Sequence, residues 1–404
     1  MKRSLEVADI FRAFGPAYRE VHGAEVPLRH LRVMRAVEIC RTAELGGHIE
    51  QCDRCGQRKI SYNSCRNRHC PKCQSLEKER WLEARKKDLL PTSYFHLVFT
   101  LPGGLRSLAL RNQKIVYSLL FKAASETLLQ LAKDRKYLGA EIGFIALLHT
   151  WSQTLIDHPH VHCLVTGGGL SPDGQRWISS RPGFFIPVKV LSSLFRGKFL
   201  DHLGKAYESG KLKFPGKIEV LKGGPAFKKF LADLYQQKWV VYCKPPLKRA
   251  EQVMEYLGRY THRVALSNDR LVALDGSQVT FRWRDSADGD KIKILPLEAF
   301  EFIRRFLLHV LPDRFVKIRH YGLLSNRGRK RKLLRCQKLL GVSIKEEIEE
   351  SPKETWQDLL TRITGIDPRV CPFCGKGKMI QREILPACAI RTADRMPQHA
   401  GRPP

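Results

Sequence analysis

The stretch from Phe144 to Leu170 restricts the fold more than any other, because its apolar and polar runs alternate as two paired strands would. Phe144 to Trp151 is apolar and β-prone, Ser152 to Pro159 is polar with a proline, and Val161 to Val165 is apolar again before three glycines. This pattern predicts a β-hairpin with a medium loop. Side chains alternate between faces along a strand, so His160 and His162 share one side, and the hairpin can bring His149 beside them. A His-x-His pair alone is usually a solvated or hydrogen-bonded strand feature. A third imidazole at hairpin distance, in an otherwise apolar setting, favours a divalent-metal site.

Composition bounds the rest. A chain of 404 residues with 43% hydrophobic content can form two or three domains with cores. No apolar run approaches membrane-spanning length and Met1 to Val7 lacks the apolar segment of a signal peptide, so a cytoplasmic protein without membrane contact is expected. Lys and Arg number 71 against 40 Asp and Glu, a net charge of +31 spread along the chain. Such a surface attracts polyanions, and counterion release makes nucleic acid the expected partner. Of the 12 cysteines, those in Cys-x-x-Cys pairs point in a reducing compartment to metal rather than disulfides.

Residues 1 to about 46 have helical periodicity. Two knuckles follow, Cys52-Asp-Arg-Cys55 and Cys70-Pro-Lys-Cys73. Each presents two thiolates to one edge of a tetrahedron, so Cys52, Cys55, Cys70 and Cys73 are expected to form one closed structural zinc site. His48, Cys65 and His69 are surplus candidates, and Arg66 and Arg68 are available to phosphates. The order His48-x-Glu50 and then Cys70-Pro-Lys-Cys73 departs from the zinc-deaminase pattern, because the proline lies inside the knuckle.

After a charged helical segment, Leu76 to Leu90, Tyr94 to Thr100 reads as a strand, residues 108 to 136 as helical, and then the histidine hairpin arrives. That order predicts an α+β domain with a mainly antiparallel sheet flanked by helices. Farther on, two prolines precede a predicted helix from about Leu247 to Tyr260. Tyr256 and Tyr260 emerge one turn apart on one face, although Val253, Tyr256, Leu257 and Tyr260 also have the spacing of an ordinary buried stripe. A phenol, with its reference pKa of about 10, is a poor nucleophile near neutrality. Beside a divalent cation that polarises a phosphodiester it can attack phosphorus and form a phosphotyrosine.

Together the segments Tyr94-Phe-His-Leu-Val-Phe-Thr-Leu-Pro, His149-Thr-Trp with His158-Pro-His160-Val-His162, and Tyr256-Leu-Gly-Arg-Tyr260-Thr-His-Arg resemble the tyrosine transposases of the IS91 type, within the HUH endonuclease group. Tyr62 to Cys73 is similar to that family's N-terminal zinc-binding module, and His320-Tyr-Gly-Leu-Leu-Ser to its C-terminal block. The resemblance implies a single-stranded DNA nuclease and strand transferase that acts on insertion-sequence ends in rolling-circle transposition. It also implies Mg2+ or Mn2+ on His160 and His162, with His149 as third ligand and Gln153 or His158 as fallback, and Tyr256 and Tyr260 as paired nucleophiles. Domains are expected at 1–90 (helical and zinc-binding), 91–325 (catalytic) and 326–404 (basic, with a partial zinc knuckle).

Arg259 and Arg263 flank the second tyrosine, and Phe281-Arg282-Trp283-Arg284 interleaves stacking and phosphate-binding residues. Arg327, Arg329, Lys330, Arg331, Lys332 and Arg335 form a basic run suited to backbone phosphates. Cys371-Pro-Phe-Cys374 is a third knuckle followed only by Cys388, and the tail beyond Arg391 has a disordered composition. Two other readings share features: a plasmid replication initiator or relaxase, against which stands the lack of a helicase P-loop, and a non-catalytic zinc-containing DNA-binding protein. Oligomeric state is left open.

Overall fold

A computed structural model describes residues 4–183, 185–261, 265–342 and 354–388. The chain opens with α1 (Val7–His22), α2 (Leu28–Glu38), β1 (Gly47–Cys52), β2 (Arg58–Tyr62) and α3 (Gln74–Lys86). It continues through β3 (Tyr94–Thr100), α4 (Arg106–Arg111), α5 (Gln113–Lys133), β4 (Glu141–Trp151), β5 (Asp157–Leu170) and β6 (Trp177–Ser179). Next come α6 (Val188–Glu208), α7 (Gly224–Gln236), β7 (Val240–Cys243), α8 (Ala250–Tyr260) and β8 (Leu271–Asp275). The last elements are β9 (Gln278–Asp285), β10 (Lys291–Glu298), α9 (Ala299–Leu308), β11 (Ile318–Gly322), α10 (Arg329–Leu339), α11 (Trp356–Thr364) and β12 (Met379–Leu385). No helix among the described residues is long and apolar enough to cross a membrane.

This is the α+β class with antiparallel sheets flanked by helices. Two compact units divide the chain, one from residues 1–77 with 351–404 and the other from 78–350. The C-terminal knuckle therefore falls in the same unit as the N-terminal ones.

In the larger unit the main sheet has the order β11-β4-β5-β3-β7, with β6 also on β5. Strand period decides what each face does. Phe95, Leu97 and Phe99 of β3, Phe144, Ala146 and Leu148 of β4, and Val161, Cys163 and Val165 of β5 form one face, packed under α5 and α6 in a large core. The other face carries Tyr94, Ile145, Leu147 and Leu164, which share a second core with Val253, Tyr256 and Leu257 of α8. A separate sheet, β10-β9-β8, packs Phe281 against Phe302 of α9.

The hairpin is tighter than its sequence suggests. Only residues 152–156 form its loop, tied by Ser152, whose backbone N–H donates to the Ile156 carbonyl at 2.9 Å. Pro159 belongs to β5 because the register shifts between His149 and Trp151, where a residue without an N–H is tolerated. The three glycines continue the strand rather than ending it. A Cβ on Gly169 would collide with the Glu141 carbonyl, and one on Gly168 would lie 2.7 Å from the Trp177 indole nitrogen. Helix α8 starts at Ala250, since Leu247 is held in a bridge with Tyr94 by reciprocal backbone bonds of 2.7 and 2.8 Å.

Candidate active site and cysteine clusters

His149 stands directly across from His160 in the β4-β5 ladder, and His162 follows two residues along the same face. The nitrogens that these three imidazoles can offer an ion lie within 4.8 Å of one another. Their protonation is constrained by neighbours. His160 Nδ1 is 2.6 Å from the His158 carbonyl and His149 Nε2 is 2.8 Å from the Tyr260 carbonyl. A carbonyl only accepts, so those nitrogens carry the protons, leaving His160 Nε2 and His149 Nδ1 with lone pairs for a cation. The donor set thus fits a divalent ion.

A fourth histidine, His96 of β3, had no role in the sequence reading. Its Nε2 lies 2.9 Å from His162 Nδ1, and the two rings stack with centroids 5.2 Å apart. For His162 Nε2 to hold an ion, Nδ1 must donate to His96 Nε2, as outer partners of metal-bound histidines ordinarily accept. His96 must then be neutral. Burial, with Lys244 and His160 nearby, lowers its pKa to about 3, which keeps it so. The signal was available: Val98 pairs with His162, so a histidine two residues earlier on β3 shares that face.

Helix α8 lays both tyrosines over this group. The Tyr260 ring is 4.4 Å from His162 and 5.7 Å from His149, and Tyr256 is 4.5 Å from His96 and 4.6 Å from Tyr260. The buried-stripe spacing and the approach to the imidazoles hold together. Tyr256 is 8% exposed within the second core, and its hydroxyl has no hydrogen-bond partner among the described residues. Burial, followed by the neighbouring Tyr260, raises its pKa well above the usual tyrosine value. Tyr260 is half-buried.

The basic candidates fare differently. Arg282 and Arg284 are exposed on β9, but Phe281 is fully buried, so the expected aromatic and basic interleaving is split between two faces. Strand alternation is the reason. Arg329 is half-buried and 3.7 Å from Asp88, whereas Lys330 and Arg331 are exposed on α10. Arg66 is exposed and Arg68 half-buried. The side chain of Arg259 and all of Arg263 lie outside the described residues, as does the tail beyond Arg391.

The expectation of a single site made by Cys52, Cys55, Cys70 and Cys73 is corrected. Cys70 and Cys73 gather with Cys40 and Cys65, whereas Cys52 and Cys55 gather with Cys371 and Cys374. In the first group the Cys73 sulfur lies 3.5 Å from Cys40 and 3.6 Å from Cys65. The physical reason is topological. Cys52 and Cys55 lie at the turn of the β1-β2 hairpin, whereas Cys70 and Cys73 lie beyond β2, near the cysteines that precede and follow the hairpin, so each knuckle finds its partners elsewhere. Cys40, just past α2, was missed because it has no knuckle partner of its own. His48 sits 3.7 Å from Glu50, and neither it nor His69 belongs to the thiolate groups.

Residues 143–332 match a family described as "Putative transposase", and residues 10–101 match one described as "Transposase zinc-binding domain". The class is therefore a DNA-cleaving transposase with a zinc-binding domain. The "Putative transposase y4qJ" of Sinorhizobium fredii is 53% identical over 380 residues, covering 94% of this chain and 95% of that one. The "Transposase for insertion sequence element IS801" of Pseudomonas savastanoi pv. phaseolicola is 26% identical, covering 83% and 79% respectively. No solved structure matches this chain. The chain belongs to the IS91-type transposase family.

Proposed function

We propose that this transposase cleaves and rejoins single-stranded DNA at insertion-sequence ends through 5'-phosphotyrosine intermediates, as rolling-circle transposition requires. The observation that carries the reading is the Tyr260 ring 4.4 Å from His162, over three imidazoles whose ligand atoms lie within 4.8 Å. Mg2+ or Mn2+ held by His149, His160 and His162 would polarise the scissile phosphate and stabilise the departing oxygen.

Tyr260 is the first nucleophile in this proposal. Its oxygen bonds to phosphorus, the phosphorus to O3' bond breaks, the phenol proton passes to solvent, and O3' takes a proton to become a free hydroxyl. His149 fixes the helix end by its bond to the Tyr260 carbonyl. Tyr256, with its hydroxyl buried and its pKa raised, takes the second strand once α8 shifts to admit solvent. The free 3' hydroxyl then attacks a phosphotyrosine, so no hydrolysis and no external energy source is needed. Exposed Arg282, Arg284, Lys330 and Arg331 are the proposed phosphate contacts, with Arg66 and Arg68 of the zinc module.

The test is incubation with single-stranded oligonucleotides carrying the insertion-sequence ends and Mn2+, followed by denaturing electrophoresis. A covalent adduct is expected. It should fall sharply in Tyr260→Phe and disappear in the double Tyr256→Phe, Tyr260→Phe variant. An adduct that survives the double change refutes the assignment, and no adduct at all leaves a zinc-containing DNA-binding protein. DNA junctions formed in cells separate transposition from plasmid-type nicking.

A further inference from the structure

We infer that Cys52, Cys55, Cys371 and Cys374 form a second structural zinc site, distinct from the one made by Cys40, Cys65, Cys70 and Cys73, and that it clasps the C-terminal segment into the zinc module. The matched zinc-binding family covers residues 10–101 and so contains only half of these ligands.

The distances identify the ion class. Four thiolates about 2.3 Å from zinc stand about 3.8 Å apart in a regular tetrahedron. Here Cys52 Sγ lies 3.7 Å from Cys374 Sγ, and Cys55 Sγ lies 3.7 Å from Cys371 Sγ. A disulfide would bring two sulfurs to about 2.05 Å, so these are thiolates around a common centre rather than oxidised pairs. Four sulfur ligands with no imidazole or carboxylate among them select a soft, tetrahedral cation and close the site to substrate.

The two half-sites are built alike. Each reads Cys-x-x-Cys-Gly, with glycines at φ +70° (Gly56) and +66° (Gly375). In each, the glycine N–H donates to the carbonyl of the first cysteine, at 3.1 Å for Gly56 and 2.9 Å for Gly375. Backbone N–H groups also point at the sulfurs: Arg54 and Cys55 at Cys52 Sγ, and Gly377 at Cys374 Sγ, all at 3.4 Å. Such donors stabilise thiolate charge. The halves are sewn together besides: Lys378 N–H donates to Asp53 Oδ1 at 2.8 Å, and β12 pairs with β1 from Gly47 with Leu385 to Cys52 with Met379. A Cβ on Gly377 would run into Cys52 Sγ, so the approach requires glycine.

Cys55 and Cys371 are 316 residues apart in the chain, and everything between β2 and α11 is inserted between the two halves of the site. The zinc module is thus finished only when the C-terminal segment returns to it.

The inference does not depend on the strand-cleavage proposal, because its test reads metal and not activity. Full-length protein purified with zinc is assayed by mass spectrometry for metal content. Two zinc ions per chain are expected, one in Cys371→Ser/Cys374→Ser and one in Cys40→Ser/Cys65→Ser. One zinc in the unaltered chain, or two retained by Cys371→Ser/Cys374→Ser, overturns the site. A second measurement needs no variant: thiol alkylation of the unaltered chain during stepwise chelation, mapped by peptide. Cys52, Cys55, Cys371 and Cys374 are expected to become reactive as one group. Alkylation of Cys371 and Cys374 while Cys52 and Cys55 stay protected refutes the clasp.

Discussion

The histidine group and the cysteine groups gather ligands in opposite ways. The imidazoles stand on neighbouring strands of a sheet whose two faces are both packed, with Leu97, Phe99, Phe144 and Val161 fully buried on one side and Leu257 of α8 on the other. Hydrophobic burial holds them in place whether or not an ion is bound. The thiolates, most of them on knuckles, stand beside a three-stranded sheet, β12-β1-β2, whose outer strands bury little: Ile60, Ile380 and Ile384 are exposed. A sheet of that size with few buried side chains needs a staple. On the proposed reading, an ion on the histidines would be a reagent placed on a finished scaffold, whereas zinc on the cysteines would be part of the scaffold.

The sharpest way to break this contrast is to remove all metal. Structural zinc contributes about 10 to 16 kcal/mol of apparent binding energy in small domains, energy that is also folding energy. Hydrogen exchange after chelation should show protection lost through β1, β2 and β12 and kept in β3, β4 and β5. Loss in both places would make the histidine sheet metal-dependent too.

Next in size is His162→Ala. Adduct formation should fall about a thousandfold, on the order of 4 kcal/mol of transition-state stabilisation, with the melting temperature of the larger unit little changed. On the proposed mechanism His96 would be a positioning residue for His162, so His96→Leu should raise the Mn2+ concentration for half-maximal cleavage about 10- to 100-fold. His96→Gln, which can still accept from His162, should recover part of that. An unchanged midpoint in His96→Leu removes His96 from the metal site.

The smallest effect concerns Asp157 at the start of β5, which is 2% exposed with neither carboxylate oxygen hydrogen-bonded among the described residues. Burial pushes its pKa up to about 7 from 3.8. The unfolded chain ionises first as pH rises, so this residue costs stability progressively between about pH 4 and pH 7. Asp157→Asn should be neutral at pH 4 and stabilise by on the order of 2 kcal/mol at pH 7.5 in thermal melts. A gain that is flat across that range would refute the assignment.

Local periodicity by itself determined that His160 and His162 share a face, that His149 can reach them across a hairpin, and that Tyr256 and Tyr260 ride one side of a helix. These follow from repeats of two and of about 3.6 residues, which involve only neighbours along the chain. Periodicity could not say whether the tyrosine stripe packed in a core or faced the histidines, because α8 does both. Only tertiary structure decided that His96 backs His162, since that needs the β3-β5 register, and that Phe281 faces inward while its arginines face out. Tertiary structure alone also divided the cysteines. A Cys-x-x-Cys knuckle fixes two corners of a tetrahedron locally, but which knuckle supplies the other two depends on where the chain returns, and for Cys55 that return comes 316 residues later.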